Sequence, residues 1–407
     1  MAENRIAFVI NSLSNGGAER LASNLSLQLS RQYEIDFIVN DLQHLDYPYR
    51  GNVISLNMPA NRNRMGTGYQ ILTLIRRVRL LRKLRRSRSF AAVISFSEMS
   101  NLANVLSSVG KDKTLISFHT SPEGYSSKSW KYRVLTKYIL PFCLQRADHT
   151  VSCSKEIADE LMAKHQLSEE RSVVIYNGID FKRIQSLCKE SLPEQLSAQL
   201  DKKGAYLLIS VGRLTAVKGH THLIRVVKKL RDDGMNVRLL ILGEGELRSD
   251  LEKQIHDLGL KNEVIIPGFA ENPYACMAQA DIVVQPSRHE GFSNVILEAL
   301  AVGVPCVATD HVTGAREILA PETDYHHKLT DRVERAAYGV LVPVCRLDAE
   351  EEQASCTAEE LMMADGIREL LTDRELAEHY RAVAVMRAKE LDIAAVASQW
   401  ADLIEGR

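Results

Sequence analysis

The 407-residue chain has no CxxC pair, and its seven cysteines (Cys143, Cys153, Cys188, Cys276, Cys306, Cys345 and Cys356) follow no regular spacing. An odd, dispersed set excludes a disulfide framework and reads as the reduced core thiols of a cytosolic enzyme. Long apolar runs are missing as well: no stretch approaches the ~18 apolar residues that a spanning helix needs. The opening MAENRIAFVINSLSNGG breaks its apolar run after five residues, which argues against a cleavable signal peptide. The expected location is the cytoplasm, peripheral on the inner face of the cell membrane. Neither GxGxxG nor GxxxxGK[ST] occurs, so neither a dinucleotide fold nor a P-loop is supported. No paired-aspartate metal motif stands beside a strand end. His326 and His327 have carboxylates nearby, but the cysteines are too distant to complete a metal motif. The acidic, polar insertion CRLDAEEEQASCTAEELMM (345–363) is expected to be a solvated surface loop.

What is present is the composition of a soluble globular protein, 25% charged and 45% hydrophobic, long enough for two domains of about 200 residues each. The net charge of −1 hides an asymmetry. Residues 1–180 hold 24 Lys and Arg against 16 Asp and Glu, whereas the rest hold 27 against 36. Halves of opposite sign suit two domains with different partners. Both halves alternate short apolar runs with amphipathic stretches. Ile6–Ile10, Ile35–Val39, Val53–Leu56, Ala92–Phe96, Thr114–Phe118, His149–Cys153 and Val173–Tyr176 read as strands of the first. Leu207–Val211, Val237–Leu242, Val264–Ile266, Ile282–Gln285 and Cys306–Ala308 read as strands of the second. Strands alternating with helices imply an α/β class with parallel, doubly wound sheets and ligand crevices at the carboxyl ends of the strands. The expected domains are 1–190 and 205–385, joined by a polar linker at 191–204. Residues 386–407 are expected to form a helix packing back on the first domain, with a cleft between the domains as the site.

Three loops carry candidate chemistry. In NSLSNGG (11–17), Gly16 and Gly17 would let the backbone approach a ligand at a helix N-terminus, which favours an anion. In VGRLTAVKGH (211–220), Arg213 and Lys218 would clamp a diphosphate, one as a fork and one as a point charge. In PSRHEGFSNVILEALAVGVP (286–305), Glu290 on a loop and Glu298 on the following helix could each accept from a vicinal diol. The free amides of Gly291, Phe292, Ser293, Asn294 and Val295 would face a phosphate.

These loops, with NGGAERLASNLSLQL, VIYNGID, LILGEGELRSDLE, PGF (267–269) and ADIVVQPSRHEGFSNVILEALAVGVPCVATDHVTGAREIL, resemble the retaining family 4 glycosyltransferases of the GT-B fold. The resemblance runs nearly end to end and includes the family's glutamate-x7-glutamate motif. It implies two Rossmann-like domains that close over a nucleotide diphosphate sugar, with no obligatory metal and no other cofactor. It implies that Arg213 and Lys218 bind the donor diphosphate, Glu298 the ribose and Glu290 the transferred sugar. Backbone near Phe269 would meet the base, and Gly16 and Gly17 would approach from the other domain. His119, in ISFHTS, falls where the family often places a histidine touching the donor sugar. The implied reaction is retaining, with attack on the face from which the phosphate leaves. UDP is the expected donor nucleotide and GDP the second choice, for transfer of a hexose or N-acetylhexosamine to a glycan or lipid-linked glycan of bacterial polysaccharide biosynthesis. The competing functions are a pyridoxal-dependent phosphorylase, a nucleotide-sugar epimerase or hydrolase of the same architecture, and an inactive sugar-nucleotide-binding protein. Intact Arg213, Lys218 and Glu290 argue against the last.

The stretch ILTLIRRVRLLRKLRRSR (71–88) holds eight cations and no acid. Helical spacing assigns Ile71, Leu74, Ile75, Val78 and Leu81 to one face and Arg76, Arg77, Arg79 and Lys83 to the other. Arg82, Lys83, Arg85 and Arg86 are expected to meet an anionic membrane surface or the pyrophosphate of a polyprenol-linked acceptor. No aromatics interleave with the charges, which argues against nucleic acid.

Overall fold

The computed structural model describes residues 4–14, 16–58, 67–122, 134–200, 204–346 and 356–407. Among them are two seven-stranded sheets. The first comprises β1 (Arg5–Val9), β2 (Glu34–Val39), β3 (Asn52–Ser55), β4 (Ala92–Ser95), β5 (Lys113–Phe118), β6 (His149–Ser152) and β7 (Ser172–Val174), in the order β3-β2-β1-β4-β5-β6-β7. Every pairing in it is parallel. The second comprises β8 (Tyr206–Val211), β9 (Val237–Leu242), β10 (Val264–Gly268), β11 (Ile282–Gln285), β12 (Cys306–Thr309), β13 (Glu334–Ala336) and β14 (Gly339–Val342), in the order β10-β9-β8-β11-β12-β14-β13. Its one antiparallel pairing, β13 with β14, closes an edge. Strands buried on both faces must read as continuous apolar runs. Phe8, Ile38, Ile94 and Leu115 of the first sheet, and Leu208, Ile241, Val283 and Val307 of the second, are fully or almost fully buried.

Among the parallel strands of each sheet the order changes direction between β1 and β4 and between β8 and β11. Those are the topological switch points, where loops after adjacent strands diverge and leave a crevice. The loops singled out in the sequence, 11–17, 211–220 and 286–291, follow β1, β8 and β11.

The chain divides into two compact units, residues up to Ile179 with Asp392–Arg407, and Asp180–Leu391. The polar stretch expected to be a linker carries a helix instead, Glu194–Leu200. Its Leu200 joins Leu207, Ile209 and Leu240 in a core cluster of the second unit, so burial overrides the polar composition. The helix Arg374–Glu390 likewise belongs to the second unit, with Tyr380 in its core. The chain returns to the first unit only at Asp392, whose side chain caps the helix Ile393–Glu405 by accepting from Ala394 N at 2.8 Å. Trp400 and Ile404 of that helix pack in the core with Phe8 and Phe96. Gly178 allows the approach, since a Cβ there would fall 2.9 Å from Val396 Cγ2.

The acidic insertion is also corrected. Residues 347–355 lie outside the described residues, but Ala358–Thr372 is a helix with Met363 and Ile367 fully buried. Its apolar stripe was hidden by Glu359 and Glu360. Glu360 is buried because it completes a capping box with Thr357 and accepts from His222 and Arg225.

Candidate active site

The loop after β8 is pinned to the loop after β11. Gly219 adopts φ +69°, and a Cβ there would lie 2.1 Å from Pro286 O, so only glycine permits the contact. Arg288 N donates to Val217 O at 2.8 Å. This brings Lys218 Nζ to Glu290 Oε1 at 2.5 Å. Gln285 Nε2 and Ser287 Oγ donate to the same oxygen at 2.9 and 2.7 Å. Oε1 is thus saturated, while Oε2 accepts no hydrogen bond among the described residues. Burial works against the Glu290 charge, yet the Lys218 ammonium and the Ser287 hydroxyl hold its carboxyl below the ordinary range. Two neutral imidazoles stand nearby. His311 is fully buried and pushed down to about 4, by burial first and against the pull of Glu290. His220 is likewise pushed down to about 4, by burial and then by Lys218.

Arg213 is exposed, and its guanidinium makes no ion pair or hydrogen bond among the described residues. Beyond Gly291 and the buried Phe292, Ser293 stands at the N-cap of the helix Asn294–Val302, and its buried hydroxyl makes no hydrogen bond among the described residues. Its first-turn amides carry the partial positive charge of a helix N-terminus. Glu298, one turn further along, is buried and accepts from Tyr274 Oη at 3.2 Å. Phe269, just after β10, is 73% exposed. Gln285 and Ser287 were legible as neighbours of Glu290 in sequence. Tyr274 had no signal, because it reaches Glu298 from a separate short helix, Pro273–Met277.

His119, Gly16 and Gly17 belong to the first unit. His119 stacks on Phe96 with centroids 5.8 Å apart, and its Nε2 lies 2.9 Å from Ser117 Oγ. Burial pushes the ring down to about 4, a hydrogen bond to Asn177 opposing, so it is neutral at pH 7. Gly16 precedes the helix Gly17–Leu29 in ordinary extended backbone. A Cβ there would fall 1.9 Å from Glu19 Oε2, the end of a flexible side chain that can swing aside.

The basic helix, Thr67–Ser87, departs from its expected faces. Arg77 and Arg85 are buried, together with Leu81 and Leu84. Arg77 donates to Ser100 Oγ at 2.8 Å and Asn11 Oδ1 at 3.1 Å, and also to Asn40. It thereby ties the loop after β1 to the helix Glu98–Ser107. Arg85 pairs with Asp112 at 3.0 Å and with Asn104. Arg85 is therefore withdrawn from the surface that was expected to meet a membrane. Of the apolar face, Leu74 and Val78 pack against a core cluster, but Ile71 and Ile75 are 53% and 40% exposed, as is Leu72 at 43%. Arg79, Arg82, Lys83 and Arg86 line an open recess with Ser87. No described helix is long and apolar enough to cross a membrane.

Two family models match the chain, Glycosyltransferase Family 4 over residues 15–183 and Glycosyl transferases group 1 over residues 193–336. An uncharacterized glycosyltransferase of Methanocaldococcus jannaschii is 30% identical over 285 residues, 69% of each chain. The N-acetylgalactosamine-N,N'-diacetylbacillosaminyl-diphospho-undecaprenol 4-alpha-N-acetylgalactosaminyltransferase of Campylobacter jejuni is 29% identical over 392 residues, 95% of this chain and 96% of that one. Among solved structures, Anabaena HepE in complex with UDP and glucose superposes with a TM-score of 0.74 over 99% of both chains, at 19% identity. With two glycosyltransferase models matched in succession, a relative 30% identical over two thirds of its length, and the fold of a GT-B enzyme, the chain belongs to the family 4 glycosyltransferases of the GT-B fold and is an enzyme of the hexosyltransferase class.

Proposed function

We propose that the enzyme moves a hexose or N-acetylhexosamine from a UDP-sugar, with GDP as the second choice of nucleotide, to a glycan carried on a polyprenol-type lipid. Transfer retains the anomeric configuration and needs no metal. The observation that carries this reading is the Glu290 carboxylate. Lys218, Gln285 and Ser287 hold one of its oxygens, and the other is left to accept from sugar hydroxyls. Arg213, Lys218 and the amides from Gly291 to Val295 would meet the charge that develops on the leaving diphosphate, a preorganised stabilisation of the kind that dominates many enzymes. Glu298 would hold the ribose, with Tyr274 orienting it, and the exposed Phe269 would lie towards the base.

An attacking carboxylate of the retaining-glycosidase type would stand free on the face opposite the leaving group. Glu290 is instead tied to Lys218 on the loop assigned to the diphosphate. His119, neutral with a pKa near 4, is a weak base at pH 7 and suits hydrogen bonding to the sugar better than proton removal. The departing phosphate is left as the base, attack coming from its own side. Undecaprenol-linked chemistry in the Campylobacter relative and UDP with glucose in the Anabaena neighbour support the acceptor and donor classes. The exposed Ile71, Leu72 and Ile75 beside Arg79, Arg82, Lys83 and Arg86 support work at an anionic membrane surface.

The test is release of nucleotide from a panel of UDP- and GDP-sugars, with and without EDTA, followed by NMR of the product's anomeric carbon. Turnover of a UDP-sugar in EDTA to an α-linked product is expected. Inversion, or activity restored only by Mg²⁺ or Mn²⁺, refutes the mechanism.

A further inference from the structure

Three described residues other than glycine have positive φ: Asn57, Gln166 and Thr313. Thr313, at φ +72°, is the β-branched one, and its branch meets the backbone in that region. It is fully buried, in the turn between β12 and the helix Ala315–Leu319. The next residue, Gly314, also has positive φ, so the turn could have been built without a strained threonine.

The side chain supplies what glycine lacks. Thr313 Oγ1 donates to the main-chain carbonyl of Glu290 and lies 2.6 Å from Val312 O. The rest of the turn is pressed on the same loop. Val312 bridges His289, and a Cβ on Gly314 would fall 3.0 Å from Phe292 Cα. The turn 312–314 is therefore the backing of residues 289–292. Glu290 is held at its side chain by Lys218, Gln285 and Ser287, and at its peptide by Thr313. Strain kept in a buried turn marks a position where geometry is held at a cost in stability.

We propose that Thr313 is a positioning residue: its hydroxyl fixes the Glu290 peptide so that the free carboxylate oxygen meets the transferred sugar. This rests on the reading of Glu290 as the sugar-binding carboxylate. Glu290 Oε1 has three partners of its own, so losing the Thr313 bond displaces the loop without freeing the carboxylate. Turnover, which needs the sugar aligned, is then more sensitive than nucleotide binding, which uses other groups.

The experiment compares Thr313→Ser, Thr313→Val and Thr313→Gly, with Glu290→Gln alongside. It uses whichever of UDP-glucose, UDP-galactose, UDP-N-acetylglucosamine and UDP-N-acetylgalactosamine the native enzyme turns over fastest. The readouts are kcat, donor KM, UDP affinity and thermal midpoint. Val keeps the branch and loses the hydroxyl, so its kcat falls about tenfold, the size of one well-placed hydrogen bond. Gly loses the same hydroxyl and relieves the backbone, so its kcat falls similarly while its thermal midpoint stays at or above that of Val. Ser restores kcat to within about twofold of native, and UDP affinity is unchanged throughout. Native kcat in Val and Gly, with Glu290→Gln impaired, overturns the positioning role alone. Native kcat in Glu290→Gln overturns the underlying reading of Glu290, and this proposal with it. A Ser variant as slow as Val, or UDP affinity falling in step with kcat, reduces Thr313 to an ordinary structural residue.

Discussion

Glu290 and Glu298 stand eight positions apart, yet their surroundings differ. Glu290 is paired with a cation and keeps one oxygen open, whereas Glu298 is buried on a helix against a tyrosine hydroxyl. Replacing Glu298 by Ala removes the proposed ribose contacts, so free UDP should bind roughly ten- to a hundredfold more weakly, the worth of a charged hydrogen bond or two. Replacing Glu290 by Ala should leave UDP affinity near native and cut turnover. Calorimetric titration of UDP against both variants checks the division; equal losses would remove it. The sequence pointed to both glutamates because the motif is contiguous. It could not reveal Tyr274 or Thr313, which reach the motif across the fold.

At the scale of the element, the helix Thr67–Ser87 separates what charge density suggests from what packing requires. A run of eight cations reads as one basic face, but two of its arginines turn inward to partners on other elements: Asp112 and Asn104 for Arg85, and Ser100, Asn40 and Asn11 for Arg77. Burying a guanidinium is tolerable only where such partners exist, and helical spacing carries no record of them. Arg85→Ala should therefore destabilise the protein by roughly 3–5 kcal/mol, the cost of leaving a buried partner charge unpaired. Its midpoint of urea unfolding should fall accordingly. Changing Arg82, Lys83 and Arg86 together to Ser should leave that midpoint nearly unmoved. The same triple variant should lose binding to vesicles containing anionic lipid at low salt, at about 1 kcal/mol per cation. Co-sedimentation that ignores the three substitutions would sink the membrane assignment.

On the scale of the molecule, each unit carries imidazoles held neutral: the partly buried His119 in the first, and the buried His220 and His311 in the second. All three are pushed from the ordinary 6.5 down to about 4. The unfolded chain takes up these protons first as pH falls below 6.5, and the folded chain only near 4. The stabilisation is thus complete above 6.5 and drains away towards 4. For the fully buried His311 a shift of this size corresponds to about 3 kcal/mol. Glu290 and Glu360, whose charges are held, lose their contribution only below the ordinary carboxylate range, so the window from pH 6.5 to 5 reports the histidines. Thermal midpoints should fall steadily across it. A flat profile from pH 7 to 5 would contradict buried neutral rings.

Periodicity by itself determined the α/β class, most strands of both sheets and the loops that bear Arg213, Lys218 and Glu290, because parallel strands are written as short apolar runs and the chemistry follows their carboxyl ends. It missed β13 and β14, which are short and close a sheet edge. The tertiary structure alone decided where the units divide, since Asp180 and Asp392 mark changes of packing partner rather than of composition. It alone decided which of eight cations are buried and which oxygen of Glu290 is occupied. Each of those outcomes depends on a partner far away in sequence, and a local pattern cannot encode a partner it does not contain.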